Sequence, residues 1–294
     1  MSILESLVMA LRSLRANKMR AGLTMLGIII GTGAVIGLMS VGEGARAAIT
    51  AQVQGIGSNL IFVIPGNMSQ FQQGQGGGRS VEALTRQDAD AIASDSLARH
   101  VAAVVPAVER TATVTYRSAT VTVAVRGTTA DYEFVRNHTI ALGRFIAPGD
   151  DAASARVALL GFQTAEDLFG FAELALNQTI RIDSVPMRVI GIMEKKGPAG
   201  PAGFGSDSFV IIPLATAVER LFSGRYMTAS GVRVDSVYVS AIDEASVDAA
   251  IEEITLILRD RHKIAFEEDD FTVASQQDVL TVFTEITGYL TIFL

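Results

Sequence analysis

Residues 21 to 41 read AGLTMLGIIIGTGAVIGLMSV, a run of 21 residues without a charged side chain. As a helix rising 1.5 Å per residue, a stretch of this length covers the ~30 Å hydrocarbon core of a bilayer. It predicts a transmembrane helix. Gly27 and Gly31, then Gly33 and Gly37, stand four residues apart within it. Small residues at that spacing let a second helix approach closely, so these four glycines form the candidate helix-packing or dimer face.

The flanks set a direction. Arg12, Arg15, Lys18 and Arg20 precede the run against the single acid Glu5, whereas Glu43 and Arg46 follow it and cancel. Because basic residues are retained on the cytoplasmic side, the N-terminus is expected in the cytoplasm and everything after Val41 outside. Ile3, Leu4, Leu7, Val8, Leu11 and Leu14 fall on one helical face, with Glu5, Arg12 and Asn17 on others, which predicts an amphipathic helix lying on the inner membrane surface. A cleaved signal peptide is the competing reading, since Ala45-Arg46-Ala47 has the form of a cleavage site. The apolar run exceeds the roughly 7–15 residues of a signal-peptide core, however, and a signal peptide needs no amphipathic helix ahead of it.

At 294 residues, 49% of them hydrophobic but only 6% aromatic, the chain is long enough for one large core or two modest ones. Its mean hydropathy of +0.36 is high for a soluble protein. Cysteine is absent, which excludes disulfides, thiolate metal sites and cysteine nucleophiles. The formal charge of −7 conceals a basic N-terminal end, so the remainder is more acidic still and does not suit nucleic acid. The other end, Val279 to Leu294, VLTVFTEITGYLTIFL, carries one charge, Glu285. Sixteen residues fall short of a full span, and the segment is expected to be the start of a second membrane helix, truncated.

Between these apolar ends, strand and helix patterns alternate. NLIFVIP at 59–65 is β-rich, and QFQQGQGGG at 70–78 is a low-complexity loop. Thr85 is placed to cap a helix with Asp88 in its first turn. A strand follows at Val101–Val108, then a hairpin over Thr111–Gly127 turning at Arg117-Ser118. Further strands are expected at 156–160, 179–183, 187–193, 209–213, 235–241 and 271–274, with helices at 163–169, 214–221 and 244–260. A Gly/Pro loop interrupts at 197–208. The expected fold is an α+β extracytoplasmic domain attached to transmembrane helices, with strand-helix-strand halves at about 48–113 and 233–276 and an inserted strand-rich subdomain at about 114–232. The boundaries predicted along the chain are a cytoplasmic helix at 1–20, a span at 21–41, the extracytoplasmic domain at 42–278 and the partial span at 279–294.

Several segments resemble one family. LTMLGIIIGTGAVI, SVGEGARAAI and GIGSNLIFVIPG between Arg20 and Gly66 are similar to the first membrane helix and following segment of MacB/FtsX-like ABC transporter permeases. So are VRGTTADYEFVRNHTIALGRFI at 125–146, RVALLGFQTAEDLFG at 156–170 and DFTVASQQDVL at 270–280. The resemblance implies a porter-like outer domain carrying an insertion, a bacterial inner-membrane location, and a non-catalytic subunit of an ATP-driven export or mechanotransmission system. It implies as partners an ABC ATPase subunit, a second copy or paralogous permease, membrane lipid and a periplasmic adaptor, with ATP and Mg bound on the ATPase and no cofactor on this chain. Leu4, Leu7, Leu11, Arg12 and Arg15 would then couple the ATPase to the span. A membrane-anchored binding module working without an ATPase is the alternative.

The chemistry of an enzyme is not evident. No G-x-x-x-x-G-K-[ST] motif occurs, and neither Gly31-Thr32-Gly33 nor the Gly74–Gly78 stretch opens a helix after a strand as a phosphate cradle requires. His100, His138 and His262 have no partner at metal-ligand spacing and are expected to be surface or core residues. Glu267-Glu268-Asp269-Asp270 is expected to be a solvated turn, and there is no G-x-S-x-G elbow. Lys195-Lys196 marks a small exposed basic spot.

Overall fold

The computed structural model describes residues 9, 16–54, 59–66, 84–196, 207–222, 224–228, 231–279 and 281. They divide into two units, the helical N-terminal one up to Ala48 and a second one over Ile49–Thr281.

The N-terminal helix, α1, is Lys18–Gln54, 37 residues, or about 55 Å at 1.5 Å per residue. Its span-competent part is Lys18–Gly42, with mean hydropathy 2.0 and none of it buried. The helix therefore continues past the expected boundary at Val41. Charge appears there, but GEGARAAITAQVQ is rich in Ala, Glu, Arg and Gln, which favour helix. The end of an apolar run marks the edge of lipid, not of backbone hydrogen bonding. Thr24, Thr32 and Ser40 donate their hydroxyls to the carbonyls of Arg20, Ile28 and Ile36 at 2.8, 2.7 and 2.9 Å, so each polar group is satisfied inside the helix.

In the second unit, four antiparallel strands stand in the order β12–β1–β11–β2: β12 is Phe271–Ser275, β1 Leu60–Pro65, β11 Ser236–Ala241 and β2 Val101–Tyr116. The side chains of β1 alternate. Ile61 and Val63 face the helices α2 (Arg86–Ser94) and α7 (Val247–Arg261), in one core with Ile92, Ile254 and Leu258. Leu60, Phe62 and Ile64 point to the opposite face.

The remaining strands close a ring. β2 pairs with β3 (Ala119–Thr128), β3 with β8 (Phe209–Pro213), β8 with β5 (Val157–Leu160), β5 with β7 (Val185–Met193), β7 with β6 (Thr179–Ile182), and β6 returns to β2 through Val114↔Ile182. The β3–β8 and β5–β7 pairs are parallel. The helix α5 (Phe162–Phe169) packs on β2, β3, β7 and β8 and plugs the ring with Ala165 and Leu168. β4 (Ile140–Gly143) lies outside it, against β7, and β9 (Met227–Thr228) pairs with β10 (Gly231–Val232) in a separate two-stranded sheet.

The strand and the hairpin expected separately over 101–127 are one 16-residue strand and its partner. β2 pairs β11 over Val101–Ala107 and β3 over Ala107–Tyr116. The expected insertion boundary near 113/114 thus falls inside a strand shared by both parts. The turn is where the sequence placed it, with Arg117 in the left-handed region at φ 53°. A second tight turn joins β6 to β7 with both central residues, Asp183 and Ser184, at positive φ (45° and 84°), the twist a two-residue hairpin prefers. Short helices α3 (Tyr132–Val135) and α4 (Pro148–Ala152) were not expected, and the helix expected at 214–221 is a turn of α-helix, α6 (Leu214–Thr216), passing into a π-helical turn over Ala217–Leu221.

Candidate functional site

Gly27, Gly31, Gly33 and Gly37 all lie in α1, and a Cβ built on any of them meets nothing within 4 Å. Around them Leu23, Ile28, Ile29, Ile30, Val35 and Ile36 are exposed to between 54% and 66%. The helix thus offers an apolar surface with a small-residue stripe at Gly27 and Gly31 and another, about 240° round the helix, at Gly33 and Gly37. Leu4, Leu7, Leu11, Arg12 and Arg15 lie outside the described residues, as does the part of the second apolar segment beyond Thr281.

Where α2 and α7 meet, a buried charged cluster ties distant parts of the chain together. Thr85 caps α2: its backbone N–H and hydroxyl both donate to Asp88 Oδ2, at 2.9 and 2.7 Å, and the Asp88 N–H donates back to the hydroxyl. Asp88 Oδ1 accepts from Arg261 Nε at 2.8 Å, and Oδ2 lies 3.5 Å from His262 Nε2. The other ring nitrogen of His262, Nδ1, is 2.9 Å from Asp270 Oδ1. Both nitrogens face carboxylates, so the imidazolium donates to both. The bond to Asp88 holds the His262 pKa up at about 9, against burial, with Asp270 adding to it. Burial alone would raise the Asp88 carboxyl, but the bonds from His262, Arg261 and Thr85 outweigh it and hold the group well below the usual carboxylate range. The acidic run expected as a solvated turn is therefore tied into the domain: Asp270 pairs with His262, and Asp269 lies 3.5 Å from Arg259. In the sequence, Asp88 as a first-turn acid was visible. Its partners 173 and 174 residues away were not.

The opposite face of the sheet carries a row of aromatic rings. Phe62 on β1 meets Tyr238 on β11 edge to face at 5.8 Å, Tyr238 meets Tyr132 at 5.8 Å, Tyr132 stacks on His138 at 5.6 Å, and His138 lies 5.7 Å from Phe209 on β8. Cations run along it. Arg126 lies over Tyr132, donates to the Tyr132 hydroxyl and pairs with Glu109. Arg136 lies over both Tyr238, at 5.0 Å, and Phe62, at 5.9 Å. Lys196 Nζ donates to the Asn137 carbonyl at 2.6 Å, so one lysine of the basic spot seen in the sequence is part of this array, while Lys195 lies over Phe162. Burial, helped by Lys196, Arg136 and Arg126, pushes His138 down to about 2 and keeps it neutral. Short spacing among Arg126, Tyr132, Arg136 and His138 was the signal available in the sequence, and no motif attaches to it.

With this geometry in place, comparison with known proteins is decisive. Residues 21–257 match the family model described as the MacB-like periplasmic core domain. The chain belongs to that family. It is 36% identical over 293 residues to a macrolide export ATP-binding/permease protein MacB of Rhodospirillum rubrum, covering 99% of this chain and 42% of the relative. With the MacB protein of Azoarcus sp. it shares 33% identity over 294 residues, 41% of that relative. The chain thus spans about two fifths of the length of these relatives. Among solved structures it is similar to the periplasmic region of MacB from Actinobacillus actinomycetemcomitans, with TM-score 0.61 and 19% identity over 80% of this chain and 96% of that one. The extracellular domain of the noncanonic ABC-type transporter YknZ from Gram-positive bacteria gives a TM-score of 0.56 at 16% identity, covering 74% of this chain and all of that one. The α+β extracytoplasmic domain expected from the sequence has the fold of these domains. The family match encloses the whole aromatic row, while Arg261, His262 and Asp270 lie beyond its end.

Proposed function

We propose that this chain supplies the first membrane segment and the extracytoplasmic domain of a permease in an ATP-driven export or mechanotransmission machine of the bacterial inner membrane. The observation that carries this reading is the joining of a span-competent helix, preceded by basic residues, to a MacB-like periplasmic core domain. The domain does no chemistry in this reading. It is moved by nucleotide-dependent changes elsewhere and acts on what it holds. The relatives' names join ATP-binding and permease in one protein, so the ATPase that drives this chain, with its ATP and Mg, is either fused to it or a separate subunit. The relatives' description as macrolide exporters supports a bulky amphiphile as cargo, and the adaptor partner belongs to the same proposal.

Orientation is the first test. Because the chain has no cysteine, single substitutions report cleanly. Glu173→Cys, on an exposed position of the domain, is expected to react with a membrane-impermeant maleimide in intact spheroplasts, whereas Ser2→Cys reacts only after lysis. The reverse pattern would reject the extracytoplasmic placement. Co-purification of the ATPase with the chain, and ATP turnover that depends on it, separates the permease from a membrane-anchored module working alone.

The glycine stripe is proposed to pack against a second copy or a paralogous permease. Replacing Gly27 and Gly31 together by Leu puts bulk where small residues permit close approach, and is expected to lower crosslinked dimer several-fold in membranes. Unchanged crosslinking removes this face from the interface.

A further inference from the structure

Arg136 closes the short helix α3 with its side chain folded back under the sheet. The residue is only 9% exposed. Its Nε and Nη1 are both buried, and neither has a hydrogen-bond acceptor among the described residues. The other cations nearby are already engaged, Arg126 with Glu109 and the Tyr132 hydroxyl, and Lys196 with the Asn137 carbonyl. The positive charges also work against one another: Arg136 lowers the pKa of Lys196, after burial, and that of His138, after burial and Lys196. The faces of Tyr238 and Phe62 support the guanidinium as a cation. They do nothing for N–H groups, which need an acceptor. A buried cation with two idle donors is a receptor for an anion.

The surroundings say which anion. One uncompensated charge matches a single carboxylate, whose oxygens accept from one edge of a guanidinium in charge-assisted bonds. A doubly charged phosphate would call for a second guanidinium, and Arg126 is spent on Glu109 and the Tyr132 hydroxyl. The apolar side chains beside the guanidinium lie on the sheet face away from α2 and α7, where Phe62 and Tyr238 are half-buried and Ile64 is 36% exposed. The exposed parts of these side chains offer contact to an apolar body attached to the carboxylate.

We propose that Arg136, with Phe62 and Tyr238, forms a binding site for a carboxylate borne on an apolar or aromatic body. Such a group comes from a free amphiphilic acid or from the C-terminus of a peptide ending in an apolar residue. The site does not depend on coupling to ATP, and it stands or falls separately from the permease reading.

The test uses the whole chain in detergent, with benzoate as probe, followed by saturation-transfer NMR on the benzoate ring protons at constant ionic strength set by sodium chloride. Saturable binding is expected in the native protein and in the exposed control Arg156→Gln. Arg136→Gln is expected to weaken it at least tenfold. Should that variant fail to fold, Arg136→Lys keeps the charge but loses the planar fork, and is expected to bind several-fold more weakly. An apolar dipeptide with a free C-terminus displacing benzoate, while its amidated form does not, identifies the peptide source; displacement by neither leaves the free acid as ligand. Absence of saturable benzoate binding, binding unchanged in the Arg136 variants, or displacement of benzoate by inorganic phosphate at lower concentration than by acetate overturns the assignment.

Discussion

Asp88→Ala is expected to destabilise the domain of residues 49–281 by about 3–5 kcal/mol, the range for removing one partner of a buried ion pair. The loss is large because Asp88 serves four donors at once: the Thr85 N–H and hydroxyl, Arg261 and His262. Without it, the cap of α2 opens and a buried imidazolium faces no carboxylate on one side. Thr85→Ala, which removes only the capping hydroxyl, is expected to cost about 1 kcal/mol. Thermal or urea unfolding of the detergent-solubilised chain separates the two. The same cluster sets a pH dependence. His262 is raised to about 9 in the folded state from an ordinary 6.5, so its stabilisation is complete below pH ~6.5 and is lost as pH climbs through about 9. Asp88 is held low, so its contribution is present above the usual carboxylate range and is lost on strong acidification. His262→Gln is accordingly expected to be less stable at neutral pH and to lose the alkaline fall in stability; an unchanged alkaline limb would place its origin elsewhere.

Tyr132→Ala is the second large effect, at about 3–5 kcal/mol, the range for emptying a large aromatic site in a core. Tyr132 is wholly buried, and its ring is the middle of the row, touching both Tyr238 and His138. Its hydroxyl also accepts from Arg126. Tyr132→Phe keeps the ring and removes that acceptor, and because Arg126 retains Glu109 the expected cost is only about 1 kcal/mol. A comparable loss in both variants would mean that the hydrogen bond, and not the packing of the row, dominates at this position.

Much of this architecture was legible before any coordinates. The long apolar helix, the capped start of α2 and the turn at Arg117-Ser118 are each announced by a pattern contained within a few residues: an uncharged run, a Thr followed three residues later by Asp, an alternation broken by two polar residues. Most strands were placed to within two residues for the same reason. What escaped was of two kinds. The elements α3, α4 and β4 are four or five residues long, too short to show a period of either 3.6 or 2. The fusion of the strand expected at 101–108 with the hairpin after it escaped because Glu109 and Arg110 resemble a break, whereas in the structure Glu109 is paired across the strands with Arg126.

The candidate sites follow the same division. The glycines of α1 could be named as two pairs from spacing alone, because in a helix residues four apart share a face whatever else the chain does. Neither the cluster around Asp88 nor the row around Tyr132 could be, although every residue in them was in plain view.

Local sequence, then, settled where the chain crosses from polar to apolar surroundings and which short stretches are helical or extended, since those depend on neighbours a few residues apart. Closure of the six-stranded ring through Val114 and Ile182, the meeting of Asp88 with His262, and the burial of Arg136 without an acceptor were settled only by tertiary packing. Each depends on bringing together groups far apart along the chain, at a loop-closure cost that only the shared core repays, and no local pattern records which distant partner that core will supply.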